Sequence, residues 1–442
     1  VIRAGIDGRA FQSPAAGVRR YVWELARAFA RLNQNSRGSR GGQSGDDSRS
    51  GVSVLGGERP PAPAGGVDPG RDGRAGSSGG ELELVAIGAG PEDPLPESVR
   101  RYAEPASPPT NLGRHAVGLP LALRRAPIDL YHAPAYTAPT WGRVPIVLSL
   151  HDVSYARHPE WYPYHNDWRR RAFYRWSARR ARVIVTISEF SRSEIVAAYG
   201  IDPGRVRVTY LGVDHAFAPA VTDGAAWLAG LRAAGGGRGA GVGAGAGTGA
   251  GAGLGAAAPY LLHVGDLHER RNLSLAVEAI ALARRRHPML GRVRLVLAGV
   301  DRGIGERLRR EALALGEPDL VELAGLVSEE RLLALYRGAS LLIYPSRYEG
   351  FGFPVAEAMA CGLPVLAARA SALPEVVGEA GLLLDPDRVE DWSEAIAAVL
   401  SDDQRALAMR DAGLRRAARF SWDRTAEATL DVYRECVALR RD

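Results

Sequence analysis

Two glutamates with seven residues between them, Glu349 and Glu357, bracket a glycine loop in the stretch LLIYPSRYEGFGFPVAEAMACGLP, residues 341–364. A glycine loop that opens a helix offers backbone N–H groups to an anion. A carboxylate beside it can accept paired hydrogen bonds from sugar hydroxyls, as an acidic residue does for ribose in dinucleotide folds. Together these residue types point to a sugar attached to phosphate. A second cluster is Gly265-Asp266-Leu267-His268-Glu269-Arg270-Arg271-Asn272, where a glycine and two arginines follow an apolar run. That order suits an anion site of guanidinium forks. A third candidate is His151, which ends the apolar run 144–150. Each has a plainer explanation: a tight turn, a solvated charge run, a histidine bonded to nearby backbone. For the arginine run its place at a strand's carboxyl end argues otherwise, because ligands of open parallel sheets sit there. For the glycine loop the two flanking glutamates do, and for His151 position alone leaves both readings open.

The elements that must carry these groups alternate along the chain. Residues 2–7 read as a strand, followed by a loop with Gly8, Pro14 and Gly17. Val18, Tyr21, Val22, Leu25, Phe29 and Leu32 recur at helical spacing and predict a helix over 18–32. Strands are expected at 82–87, 128–132, 144–150, 183–187 and 206–208. Ser188 opens a helix after the fourth of these, as a cap or as a substrate contact. The second half repeats the pattern: strand 260–264, helix 273–286, strand 293–298, helix 304–315, strand 320–323, a helix capped by Ser328, strand 341–344, helix 355–360 and strand 364–367. Two helices over 389–419 and a last one from about 421 follow. Pro354 suits the first turn of the 355–360 helix and Gly362 its exit. Two segments break the pattern. Residues 36–80 are Gly, Ser, Arg, Asp and Pro with few large apolar side chains, which predicts a disordered insertion. Glycine at nearly every second position over 235–255 predicts a flexible linker and a domain boundary.

The 442 residues suffice for two domains with sizeable cores, and 46% apolar content is that of a soluble globular protein. No apolar run approaches the roughly 18 residues that span a bilayer. The opening residues read as a strand rather than a targeting segment. Cys361 and Cys436, far apart, exclude a disulfide framework or a cysteine metal cluster, and a reducing cytoplasm fits. The net charge is +6, and all 56 basic residues are arginine. Any phosphate site here must therefore use guanidinium forks rather than ammonium groups, which allows bidentate contacts. No nucleic-acid-binding motif accompanies the basic balance, so a peripheral membrane contact is preferred over nucleic acid.

The E-x7-E stretch resembles that of the retaining glycosyltransferases of family 4. The order of motifs agrees: the Gly17-Val18-Arg19-Arg20-Tyr21 loop, His151-Asp152 after a strand, Thr186-Ile187-Ser188-Glu189-Phe190-Ser191, G-x-L-x-x-R-R-N, then E-x7-E. The sequence departs from the family at Ala16, where a first glycine is common, and at Asp266, where many members carry arginine; Arg270 is the candidate to compensate. The resemblance implies an α/β GT-B fold, two doubly wound Rossmann-like domains facing across a cleft. The divisions would be 1–218 for the acceptor, a linker over 219–258, 259–420 for the nucleotide-sugar, and a last helix, 421–442, crossing back to the first domain.

It also implies transfer of a hexose, mannose or glucose, from a nucleoside-diphosphate sugar to a saccharide or lipid-linked acceptor. Glu349 and His151 would act at the reacting centre. Arg270, Arg271, Asn272, Gly350, Phe351, Gly352 and Glu357 would hold the donor, and Gly17 and Ser188 would line the acceptor and phosphate loop. No metal or other cofactor is expected, since Asp385-Pro386-Asp387 matches a D-x-D motif by letters only. Alternatives on the same architecture are a glycosyl phosphorylase or a sugar epimerase, and outside enzymes a nucleotide-sugar-binding protein. A NAD-dependent oxidoreductase lacks the G-x-G-x-x-G after a strand that it would need.

Overall fold

The computed structural model describes residues 1–41, 82–105, 110–162, 167–235 and 259–439. The first half forms seven strands: β1 Ile2–Asp7, β2 Leu82–Ile87, β3 Val99–Tyr102, β4 Leu130–Ala133, β5 Ile146–Ser149, β6 Val183–Thr186 and β7 Val206–Val208. The second forms six: β8 Tyr260–Val264, β9 Arg294–Ala298, β10 Val321–Gly325, β11 Leu341–Tyr344, β12 Val365–Ala368 and β13 Leu382–Leu384. All pairings are parallel, in the orders β3-β2-β1-β4-β5-β6-β7 and β10-β9-β8-β11-β12-β13. Both orders reverse direction once, at β1/β4 and at β8/β11. Such a switch point leaves a crevice at the carboxyl ends of the strands. These are the two doubly wound sheets of the GT-B fold.

The central strands β4, β5, β6, β8, β11 and β12 are buried at every position. Parallel strands covered by helices on both faces need this near-continuous apolar run. The helix Leu273–Arg286 buries Leu273, Ala276, Val277 and Ile280 against the second sheet. The last helix, Trp422–Ala438, instead lies on the first half. Trp422, Ala426 and Tyr433 are buried there, and the Tyr433 ring tilts against Phe29 of the helix Ala16–Gly41.

A buried polar chain ties the last helix to the first sheet. Tyr433 OH lies 2.7 Å from His132 Nδ1, His132 Nε2 lies 2.7 Å from Ser149 Oγ, and Ser149 Oγ lies 3.2 Å from Tyr21 OH. Burial holds His132 neutral, with its pKa lowered to about 3. Tyr433→Phe leaves His132 Nδ1 without its partner in a site that water does not reach. The expected cost is about 1–3 kcal/mol, read as a lower midpoint in urea with an unchanged slope.

Two expectations change. The first helix runs on to Gly41 rather than ending at 32, so residues 36–41 of the expected insertion are helical. Once a helix is nucleated, each further residue adds a hydrogen bond at little cost. Residues 42–80 lie outside the described residues. Within the expected 219–258 linker, Gly224–Gly235 is a helix. Asp223 accepts from Ala225 N at 3.1 Å and from Ala226 N at 3.3 Å, and buried Trp227 lies beneath the Arg410 guanidinium. A cap and one aromatic anchor suffice to start it. Residues 236–258 lie outside the described residues. The sequence also hid β3, β13 and the helix Trp168–Arg180.

Candidate active site

The β8/β11 switch point brings the two glycine-containing loops of the second half together. After β8 the chain turns through Gly265, at φ +131°, into the short Glu269–Arg271 turn and then the Leu273–Arg286 helix. A Cβ on Gly265 would lie 3.1 Å from the Arg271 guanidinium, so the glycine makes space for that side chain. After β11 the chain passes through 345–352 into the helix Phe353–Ala360, entering it at Gly352 with φ +99°. Arg271 and Glu349 meet here as an ion pair, each about 7% exposed.

Their surroundings are made for charge. Ser346 Oγ donates to Glu349 Oε1 at 2.6 Å, and Arg271 donates to Tyr344 OH with its guanidinium 5.4 Å from that ring's centre. His263 stacks on Tyr344 at 5.0 Å. Arg271 Nε is buried without a partner. A buried ion pair is a poor stability device, since apolar residues of similar volume often do as well or better. Two charges kept dry beside a helix tip, with one N–H unused, are better explained by a ligand.

The neighbouring side chains divide between site and scaffold. Arg270 is half-buried, with Nη1 3.4 Å from the Tyr348 carbonyl. Asn272 takes φ +55° and donates to the Pro386 carbonyl at 2.8 Å, so its amide tethers a loop. Asp266, the departure from the family pattern, pairs with Arg302 at 2.8 Å. Asp387 pairs with Arg347, and no three His, Cys, Asp or Glu side chains converge as a metal site among the described residues. Phe351 is buried against Phe353 and Phe420, so only its backbone can face a ligand.

Glu357, on the helix after the loop, is 2% exposed. One oxygen accepts from Tyr336 OH at 2.8 Å and the other from Arg20 Nη1 at 2.5 Å. Arg20 comes from the first half, in the opening turns of the Ala16–Gly41 helix. Its guanidinium sits between the rings of Phe217 and Phe353, and its Nη2 is buried without a partner. Sequence reasoning missed Arg20, although the Gly-Val-Arg-Arg-Tyr segment around it was read as a candidate loop.

The first half contributes His151, beyond β5. Its ring packs edge-on against Tyr21 at 4.8 Å and is hydrogen-bonded to the Pro134 backbone. Burial lowers its pKa. Proline backbone can only accept, so the bonded nitrogen carries the proton. That leaves Nε2 as a buried acceptor without a partner. Gly17, in the first turn of its helix, has open space where a Cβ would stand. Ser188 does two jobs: its Oγ accepts from Ser191 N at 3.0 Å as a helix cap and donates to the Gly350 carbonyl at 2.7 Å. Glu375, also missed, accepts from Glu189 N and Phe190 N at that helix's start, at 2.8 and 2.6 Å, where the helix dipole favours an anion.

These contacts seat the glycine loop of the second half against the His151 loop of the first. A Cβ at position 350 would stand 2.8 Å from the His151 carbonyl oxygen and 3.3 Å from Asp152 Cβ. Gly350→Ala should therefore cost about 1–3 kcal/mol of stability. A differential scan should show the melting point falling, with transfer slowed because the loops no longer meet.

Two family models match this architecture: Glycosyltransferase Family 4 over residues 75–217 and Glycosyl transferases group 1 over 253–416. O-antigen chain mannosyltransferase B of Escherichia coli is 31% identical over 318 residues, covering 71% of this chain and 76% of that one. The chain belongs to glycosyltransferase family 4. A D-inositol 3-phosphate glycosyltransferase of Acidothermus cellulolyticus is 35% identical over 266 residues, 58% of this chain and 54% of that protein, so the match spans about half of that relative. Among solved structures, sucrose-phosphate synthase from Thermosynechococcus elongatus superposes with TM-score 0.64 at 18% identity, covering 99% of this chain and all of that one. Anabaena HepE in complex with UDP and glucose gives 0.60 at 17% identity, covering 97% and 98%. These structural likenesses concern the fold. As a family 4 glycosyltransferase, the protein moves a sugar from a nucleotide-sugar donor.

Proposed function

We propose that this glycosyltransferase moves a hexose, mannose or glucose, from a nucleoside-diphosphate sugar to a saccharide or lipid-linked acceptor, with retention at the anomeric carbon. The observation that carries the reading is the dry Arg271–Glu349 pair beside the glycine-lined tip of the Phe353–Ala360 helix. Residues 259–420 would hold the donor, and residues 1–218 with the last helix would present the acceptor. The mannosyltransferase from E. coli supports mannose, and the UDP and glucose bound to Anabaena HepE support glucose.

In this reading the donor diphosphate draws Arg271 from Glu349, and Arg270 and the 350–352 amides complete its cradle. Glu349 then faces the sugar, holding hydroxyls and steadying the positive charge that grows on the ring. His151 Nε2, an acceptor, takes a sugar hydroxyl. Glu357 holds the ribose diol in the place Arg20 occupies here, while Tyr336 keeps its other oxygen. The bond from the anomeric carbon to the phosphate oxygen breaks, and a bond to the acceptor oxygen forms on the same face. The acceptor's proton passes to a phosphate oxygen. Preorganised charges of this kind contribute about 3–4 kcal/mol each to the transition state. Arginine supplies the neutralising charge, so chelation with EDTA should leave transfer unchanged. The site of action would be the cytoplasm. Among the described residues no helix is long and apolar enough to cross a membrane.

A thermal-shift series with UDP, GDP and ADP, free and as their glucose and mannose conjugates, tests the donor. A ligand present at about 100 times its Kd adds about 2.7 kcal/mol, so the matching base should raise the melting point visibly. No response to any nucleoside diphosphate would overturn the reading.

A further inference from the structure

The helix Trp168–Arg180, WRRRAFYRWSARR, takes no part in the site described above. Trp168 is 64% exposed and Trp176 38% exposed, eight positions apart with exposed Ala172 midway, in the i, i+4 pattern that places residues on one helix face. Arg169, Arg175 and Arg179 are exposed around them. The patch continues onto neighbouring segments. Phe173 stacks on Trp176 at 5.9 Å and meets His115 edge-on at 5.6 Å. Trp141 donates to the Ala116 carbonyl at 2.8 Å and is itself 42% exposed, beside Val117 at 40% and Leu112 at 62%. All three exposed tryptophans of the eight in the chain therefore lie on one surface. A monomeric protein seldom leaves such an apolar cluster uncovered without a use for it.

The charge on this surface is predominantly positive, the Asp167 carboxylate that caps the helix being paired with Arg170. From Trp168 to Ser188 the chain has seven arginines and no carboxylate. At the helix's C-terminal end lies a recess of about 520 Å³ lined by Arg143, Arg179, Arg180, Arg182 and Arg205, again with no acidic side chain. Indole rings at the edge of a guanidinium field match the boundary of an anionic bilayer. There the rings sit at headgroup level and the arginines meet lipid phosphates.

We propose that this face, formed by the helix Trp168–Arg180 with residues 112–117 and 141–143, docks on an anionic membrane surface. The first half then sits on the leaflet by its tryptophans, with the basic recess over the headgroups. The proposal is independent of which sugar is transferred, since none of these residues belongs to the site.

The test uses the full chain and vesicles of phosphatidylcholine, with and without phosphatidylglycerol, in a flotation assay at low and physiological salt. The protein should float with the anionic vesicles alone, more tightly at low salt, and its tryptophan emission should shift to the blue. Arg143→Gln/Arg169→Gln/Arg175→Gln should weaken partitioning roughly 100-fold, the product of three basic residues near the surface. Trp168→Ser/Trp176→Ser should remove most of the blue shift. Both variants should keep the melting point of the parent and its transfer rate to a soluble acceptor. Failure of the parent to float with anionic vesicles would overturn the proposal. So would equal binding by the two variants, or binding to duplex DNA as tight as to vesicles.

Discussion

Glu349→Gln should lower kcat by about 10²–10³-fold, the loss expected when one preorganised charge aimed at a transition state is removed. Nucleoside-diphosphate binding should survive, because Arg270, Arg271 and the helix tip remain. Glutamine keeps the shape and can still accept from Ser346, but it cannot neutralise Arg271. Taking one partner from a buried ion pair costs about 3–5 kcal/mol when nothing replaces it. In the free enzyme the melting point should therefore fall. Adding nucleoside diphosphate should restore much of it, because the ligand's own charge replaces the lost carboxylate. That rescue separates a role toward the donor from a purely structural one. A variant with kcat within a few-fold of the parent, or one that a nucleoside diphosphate cannot restabilise, would count against Glu349 facing the sugar.

Mild acid should unfold the protein well above the range where carboxylates titrate. Burial lowers the pKa of His132 and of His263 to about 3 and that of His115 to about 4, and it lowers that of His151 as well. In the unfolded chain all four would titrate near 6.5. Below that pH the unfolded state binds protons that the folded state refuses, so stability is present above about 6.5 and is lost as pH falls below it. Each such histidine contributes about 1.4 kcal/mol per pH unit in that window. His132, His263 and His115 acting together would remove about 4 kcal/mol per unit, a large part of the whole stability of many domains. Calorimetric scans between pH 7 and 5 should show the melting point dropping steeply, with proton uptake on unfolding. A flat profile over that range would show that these rings are reached by water.

Much of the architecture could be read from local pattern, because buried parallel strands such as 183–186 and 341–344 are short apolar runs followed by glycine or serine. The strands that escaped notice are edge strands. Val99–Tyr102 alternates with two arginines, and Leu382–Leu384 has only three residues. The helix Trp168–Arg180 escaped because its apolar residues are not confined to the buried face, so no periodicity stands out. At the site, the Arg271–Glu349 partnership was legible as two motifs expected at one crevice. Arg20 on Glu357 was not, because those residues lie 337 positions apart and only the meeting of the two halves joins them. The same holds for Glu375 at the start of the Glu189–Tyr199 helix. A contact between halves leaves no trace in the spacing of either one.

The hydrogen bond between His132 and Tyr433 spans 301 positions. Chains fold as they are made, N-terminal units first, at about 5–20 residues per second. The first half of this protein leaves the ribosome with Phe29, His132 and Ser149 still uncovered. It must then wait for the whole second half to be translated before the helix that seals them arrives. Its nascent form is open-sided along this seam for that interval.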